Sequence, residues 1–143
     1  MISIANYQSE HFAGVDALWK GTFPDDTAWN VAAVAIPEKM QFQPDLMLVA
    51  LEGAFVVGSV MAGYDGHRGW ISRIAVLHSH RHKGIGEALI GEAEKRLIAL
   101  GCIKINLQVV AGNSGVVGFY QRLGYQIEER ISMSKRLLLR HDL

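Results

Sequence analysis

The apolar residues change period between Trp70 and Leu100, which restricts the chain to folds in which a strand hands directly into a helix. "WISRIAVL" (70–77) alternates as a strand does, with Ile71 and Arg73 expected on one face and Ile74 and Val76 on the other. From Gly84 to Leu100 the spacing is helical: Ile85, Ala88, Leu89, Ala93, Leu97 and Leu100 form one apolar stripe. Glu87 lies near the positive N-terminus, Lys95 and Arg96 lie near the negative end, and Gly101 stops the helix.

The junction, "HSHRHKGIG" (78–86), suggests two chemistries. His78, His80 and His82 at alternate positions would line three imidazoles along a strand face, as a metal site needs. The glycine turn that follows suits an anion. The first turn of a helix leaves N–H groups unpaired, the peptide dipoles add positive charge, and glycine lets the backbone approach a phosphate. Arg81, His82 and Lys83 add donors at the mouth. A metal triad needs extended chain through His82, where the turn is already starting, so no metal is expected. The Gly-Lys-Ser/Thr end of a nucleotide-binding P-loop is missing, and Leu89 stands where a dinucleotide fingerprint needs its third glycine.

The rest of the chain supplies further elements. Residues 2–7 read as a strand, and "SEHFAGVDALWKGTF" (9–23) as a helix that Ser9 can cap. A second helix is expected over about 29–41, with Pro37 ending or kinking it. Strands follow at 46–52 and 55–65, and with 70–77 they make an antiparallel meander. After the long helix come a strand (103–110), a short helix (113–124) started by Asn113 and ended by Gly124, and two last strands at 125–130 and 131–139. The order β-α-α-β-β-β-α-β-α-β-β describes one α/β domain with a mixed sheet.

The bulk composition narrows the partners. The 143 residues suit a single domain. Lys plus Arg equals Asp plus Glu at 14 each, so no global field draws the chain to nucleic acid or to an anionic membrane. Cys102 is the only cysteine, which excludes an intramolecular disulfide and a CxxC zinc site; a small buried residue is expected there. "MISIANYQSEHF" has neither a basic nor a long apolar segment, and no apolar run approaches the roughly 18 residues of a membrane span. A cytoplasmic protein is expected.

"RHKGIG", following the apolar strand that ends in "AVLHSH", resembles the Arg/Gln-x-x-Gly-x-Gly/Ala signature of the GNAT superfamily of N-acetyltransferases. "NSGVVGFYQRLGY" (113–125) resembles the family's second segment, in the same order and at about the same separation. The "GYDGHRG" turn and the short length resemble the small bacterial YpeA-like members. The resemblance implies one GNAT domain over 1–143, with a mixed, mostly antiparallel sheet flanked by helices. It implies acetyl-CoA as cosubstrate. The backbone amides of His82, Lys83, Gly84, Ile85 and Gly86, with the Arg81 side chain and Lys83, would bind its pyrophosphate. The main chain of Ile74, Ala75 and Val76 would pair with the pantetheine arm like an added strand, and Asn113 would hydrogen-bond that arm. Tyr120 would protonate the departing thiolate.

The expected reaction is direct acetyl transfer to a primary amine, on a small molecule or a protein. Cys102 falls between helix and strand, away from the thioester in this layout, which disfavours a covalent acyl-enzyme. Many family members carry a glutamate on the strand before the glycine turn; here "WISRI" has none, leaving Asp65, His67, His78 or water to take the amine's proton. The acceptor region would be about 20–45 and 60–70, with Asp25, Asp26, Trp29 and Asp65. A non-catalytic acyl-CoA sensor of the same fold and a phosphate- or metal-binding module are the competing readings. "ISMSKRLLLR" (131–140) is an end strand through which two copies could pair as a homodimer.

Overall fold

A computed structural model of the chain describes residues 1–138 and divides into two compact units, Met1–Leu107 and the residues from Gln108 on. The first unit is a five-stranded sheet in the order β1-β2-β3-β4-β5, formed by Ile2–Asn6, Met47–Glu52, Phe55–Tyr64, Gly69–Val76 and Ile105–Asn106. The first four strands run antiparallel. Between β4 and β5 the chain crosses over through a helix, so those two strands are parallel. The mixed, mostly antiparallel sheet flanked by helices is the architecture the sequence implied.

Helices cover both faces. On one side α1 (Phe12–Thr22) and α2 (Ala32–Gln41) bury Val15, Leu18, Trp19, Ala32 and Ile36 against Met47, Val49 and Ala75 of the sheet. On the other, α3 (Ile85–Ala99) packs across β3 and β4. Its buried stripe is Ile85, Leu89, Ile90, Ala93 and Leu97, so Ile90 joins it while Ala88 and Leu100 stay exposed. Burying each Leu or Ile here is worth about 1.5–3 kcal/mol. Arg96 fastens the same helix at its far end. It bonds Glu92 one turn back (3.0 Å), the Asn6 side chain and the Asp45 carbonyl (2.7 Å).

Several expectations are corrected. The first helix opens with a 3-10 turn, Ser9–His11, and Ser9 is not its cap; His11 Nδ1 accepts the Gln8 N–H instead (3.0 Å). The second helix starts at Ala32 rather than near 29, and it continues through Pro37 because Ala32 and Ile36 hold its inner face in the core. The fifth strand spans two residues rather than 103–110.

The alternation expected for β4 fails at one point. Ser72 to Ala75 lie opposite Met61 to Ser59, so β4 carries an extra residue at Arg73–Ile74 and the pairing shifts. Arg73 has φ +55°, a left-handed value that side chains seldom take. The bulge separates Ile71 from Arg73. Ile71 pairs with Ala62 in the buried sheet, while the Arg73 guanidinium reaches Trp19 of α1 and Phe23 just beyond it.

The second unit contains α4 (Ser114–Arg122), capped by Asn113 and closed beyond Leu123 by Gly124 at φ +95°. No strand occurs among its described residues, so the two strands expected at 125–130 and 131–139 are absent as far as residue 138. A strand needs a partner ladder, and this unit offers none. Residues 139–140 of the expected pairing strand lie outside the described residues.

Candidate active site

On its second side β4 meets β5 only at Gly69 and Trp70. From Ile71 to Val76 that edge has no strand partner among the described residues. The Leu77 N–H bonds Val57 of β3 (2.9 Å), and the Ala75 carbonyl lies against Gly58 of β3. Alternation therefore turns the main-chain groups of Ile74 and Val76 toward the open edge. One of them is engaged locally, since the Val76 carbonyl accepts from Arg81 Nε (3.1 Å). An open edge of this kind accepts an extended, amide-bearing ligand as a further strand.

The chain then turns sharply. His78–His80 form a 3-10 turn, His82 sits at φ +63° and Gly84 at φ +80°, and α3 starts at Ile85. Two left-handed residues flanking Lys83 fold the loop over the helix N-terminus. At Gly84 any side chain would be strained. None of the five amides from His82 to Gly86 donates to an acceptor among the described residues. The Ile85 side chain is buried in the core, so only its amide is available to a ligand. The free amides, the helix dipole and the exposed Arg81, His82 and Lys83 side chains together make an anion cradle.

The histidines do not converge. The 3-10 turn breaks the alternate spacing, and among the described residues no group of three His, Cys, Asp or Glu could hold a metal ion. His80 is instead tied to Ser79 Oγ (2.8 Å) and to Glu52 Oε1 at the end of β2 (3.2 Å). That hydrogen bond, with the charge of His80, lowers the Glu52 carboxyl below its usual range.

A cavity of about 300 Å³ lies between α1 and the segment leading to α2. Trp19, Phe23, Val31 and Ala32 wall it, and Asp16 and Asp26 edge it. Both carboxylates already have cationic partners: Asp16 pairs with Lys20 (2.8 Å), and Asp26 takes a two-pronged bond from Arg73 (2.8 and 2.7 Å). Asp25 lies exposed on the same segment, and Trp29 follows it before α2. Asp65 is a turn carboxylate. Its Oδ1 accepts the backbone N–H groups of His67 (2.8 Å) and Arg68 (2.7 Å). Those bonds, Arg68's first, hold it below the ordinary carboxylate range, which makes it a poor base. His67 and His78 are exposed. Cys102 is buried, its thiol donating to the Lys104 carbonyl (3.3 Å).

In the second unit, Asn113 Oδ1 accepts the Val116 N–H at the start of α4 (3.4 Å), which leaves its Nδ2 as the group it can offer a ligand. Tyr120 is buried with its ring edge-on to Phe119 (5.1 Å) and Tyr125 (5.4 Å). Burial pushes its phenol up to about 12, so it keeps its proton at every physiological pH.

Sequence reasoning missed a connected set of buried polar groups. Trp19 Nε1–H donates to Ser59 Oγ (2.8 Å), and the Ser59 hydroxyl donates to the Arg73 carbonyl at the bulge (3.0 Å). The signals for it are Arg73 and Ser59, polar residues inside strands that are otherwise mostly apolar.

The sequence pattern of the Acetyltransferase (GNAT) family matches residues 12–125. An N-acetyltransferase of Yersinia pestis is 39% identical over 140 residues, covering 96% of this chain and 97% of its own. Ard1 of Thermoplasma volcanium superposes with a TM-score of 0.81 at 20% identity, over 89% of this chain and 84% of its own. The aminoglycoside N-acetyltransferase AAC(6′)-Iy, in complex with CoA, superposes with a TM-score of 0.76 at 20% identity over 95% of each chain.

Proposed function

The chain belongs to the GNAT family and is an N-acetyltransferase, and from that premise we propose that it carries the acetyl group of acetyl-CoA directly to a primary amine. The observation that carries the reading is the glycine turn, with five amides that find no acceptor among the described residues, directly after a strand whose outer edge has no strand partner among them. The donors fit the cosubstrate. The amides of 82–86 with Arg81 and Lys83 would hold its diphosphate, and the Ile74–Val76 main chain would hold the pantetheine amides, with Asn113 Nδ2 as a further donor to the arm. A polyanionic thioester does not cross membranes unaided, which favours action in the cytoplasm. We take 1–143 as one working domain, because the family match runs past Leu107, where the two compact units divide.

Acetyl transfer needs the amine placed, its proton removed and the sulfur helped to leave. The last task falls to Tyr120. A thiolate whose ordinary pKa is about 8.5 is a weaker base than the phenolate of a tyrosine at about 12. Full proton transfer from Tyr120 is therefore uphill, and the phenol acts chiefly by donating a hydrogen bond to the developing thiolate. It releases its proton only as another replaces it. With no carboxylate on β4 and Asp65 held low, the amine's proton passes to water or to one of the exposed His67 and His78.

The test is purified protein with acetyl-CoA and a panel of amines that includes an aminoglycoside, spermidine and a peptide N-terminus, reading free thiol. Tyr120→Phe should lower turnover about a hundredfold while leaving acetyl-CoA affinity within about twofold. Full turnover in that variant would remove Tyr120 from the mechanism. Thermal stabilisation by CoA with no turnover on any amine would mark a sensor, and no stabilisation at all would defeat the cofactor assignment.

A further inference from the structure

Taking the cavity between α1 and the segment leading to α2 as the amine's site, since it lies in the region where the acceptor is expected, we propose that Asp26 and Arg73 form a single positioning unit that fixes its wall and so sets how tightly the amine is held. The role assigned to the pair rests on the acetyl-transfer reading above. Its physical basis is separate.

Arg73 stands on the β4 bulge, and both ends of the residue are fastened. Its carbonyl is held by Ser59 Oγ (3.0 Å). Its guanidinium makes two parallel bonds to Asp26 (2.8 and 2.7 Å), with each side chain only 14% exposed. The same cation lies 4.4 Å from the Phe23 ring centre and 5.2 Å from that of Trp19. All three side-chain partners, Trp19, Phe23 and Asp26, line the 300 Å³ cavity. Arg73 thus braces the cavity lining from behind while standing next to Ile74, whose main chain faces the open edge of β4.

The Asp26–Arg73 pair ties the segment between α1 and α2 to the sheet. Its local backbone bonds, Asp26 N–H to Phe23 O (3.2 Å) and Asn30 N–H to Thr27 O (3.0 Å), stay within the segment. The Asp26 carboxylate reaches the sheet. A forked, charge-assisted pair stacked on two aromatic faces fixes direction as well as distance, which a lysine at position 73 would not reproduce. Because the bulge's main chain is held by Ser59, the side-chain pair acts on the amine side and leaves the cofactor edge in place.

The experiment compares wild type with Arg73→Met, Asp26→Asn, the double variant and Arg73→Lys. Hydrogen exchange of residues 25–31 should rise about tenfold in the first three and less in Arg73→Lys, with α3 unchanged. For the amine of the panel that wild type turns over fastest, KM should rise about tenfold in Arg73→Met and in Asp26→Asn, and less in Arg73→Lys. The double variant should be no worse than the poorer single, and acetyl-CoA Kd should stay within about twofold. Unchanged exchange at 25–31 would overturn the brace. Raised exchange with a wild-type amine KM, or single effects that multiply in the double, would overturn the positioning role. If Arg73→Met does not fold, Arg73→Lys and Asp26→Asn decide the same points. A wild type that neither binds acetyl-CoA nor acetylates any amine would defeat the acetyl-transfer reading and the positioning role with it, while the exchange result would still judge the brace.

Discussion

The Ser59 hydroxyl is fully buried and does two things at once: it accepts from Trp19 Nε1 and donates to the Arg73 carbonyl. Removing it strands both neighbours. An unsatisfied buried donor or acceptor costs about 1–3 kcal/mol, far more than the loss of one methyl-sized hydroxyl would suggest. Ser59→Ala should therefore lower stability by about 2–4 kcal/mol in urea unfolding, with an unchanged denaturant slope. It should also weaken acetyl-CoA binding, since the bulge then loses the bond that sets the direction of Ile74. Adding Trp19→Phe should cost less in the Ser59→Ala background than in wild type, because the indole N–H is already unpaired there. Simple additivity of the two would mean that the groups act separately.

Helix α1 approaches the sheet so closely that a Cβ on Gly14 would lie 2.8 Å from Val56 Cβ. Alanine ordinarily gains about 1 kcal/mol over glycine inside a helix, but overpacking of this kind costs about 1–3 kcal/mol. Gly14→Ala should lower the melting temperature, while Gly91→Ala on the exposed side of α3, with open space around its Cβ, should raise it. A rise in both would mean that α1 can withdraw from β3 at no cost. The same scale shows which elements could be read beforehand. The long helix has one face committed to the core, and the middle strands of the meander are buried on both faces, so a helical period and continuous apolar runs appear in the sequence. The β4 bulge does not, because an extra residue is defined only against the partner strand. Nor does the Asp26–Arg73 pair, whose members are 47 positions apart. The last two strands were inferred from apolar residues alone, without a ladder to receive them. The glycine turn was legible, since Gly84 and the change of period are local; which side chains brace the neighbouring cavity was not.

For the molecule as a whole, the formal charge is zero at pH 7, so general repulsion stays weak until the surface lysines discharge, and particular buried groups shape the pH response before then. Two of them act in opposite directions. Lys39 of α2 donates to the Ala62 carbonyl of β3, and burial lowers it from 10.5 to about 8. Burial raises Tyr120 from 10.0 to about 12. Between pH 8 and 10.5 the folded state has released the Lys39 proton while the unfolded chain keeps it, so the unfolded state binds more protons and stability rises with pH. Between pH 10 and 12 the unfolded tyrosine ionises first, the folded state holds the extra proton, and stability falls. Lys39 retains some contact with solvent, which reduces its part to about 1–2 kcal/mol. The urea midpoint should therefore climb from pH 8 to about 10 and drop above it. Lys39→Met should remove the climb and keep the drop, while Tyr120→Phe should keep the climb and lessen the drop, of which Tyr7, also raised by burial, retains a part. A wild-type midpoint that falls steadily from pH 8 upward would show that Lys39 is solvated as freely as a surface lysine, and that the end of α2 does not bury it against β3.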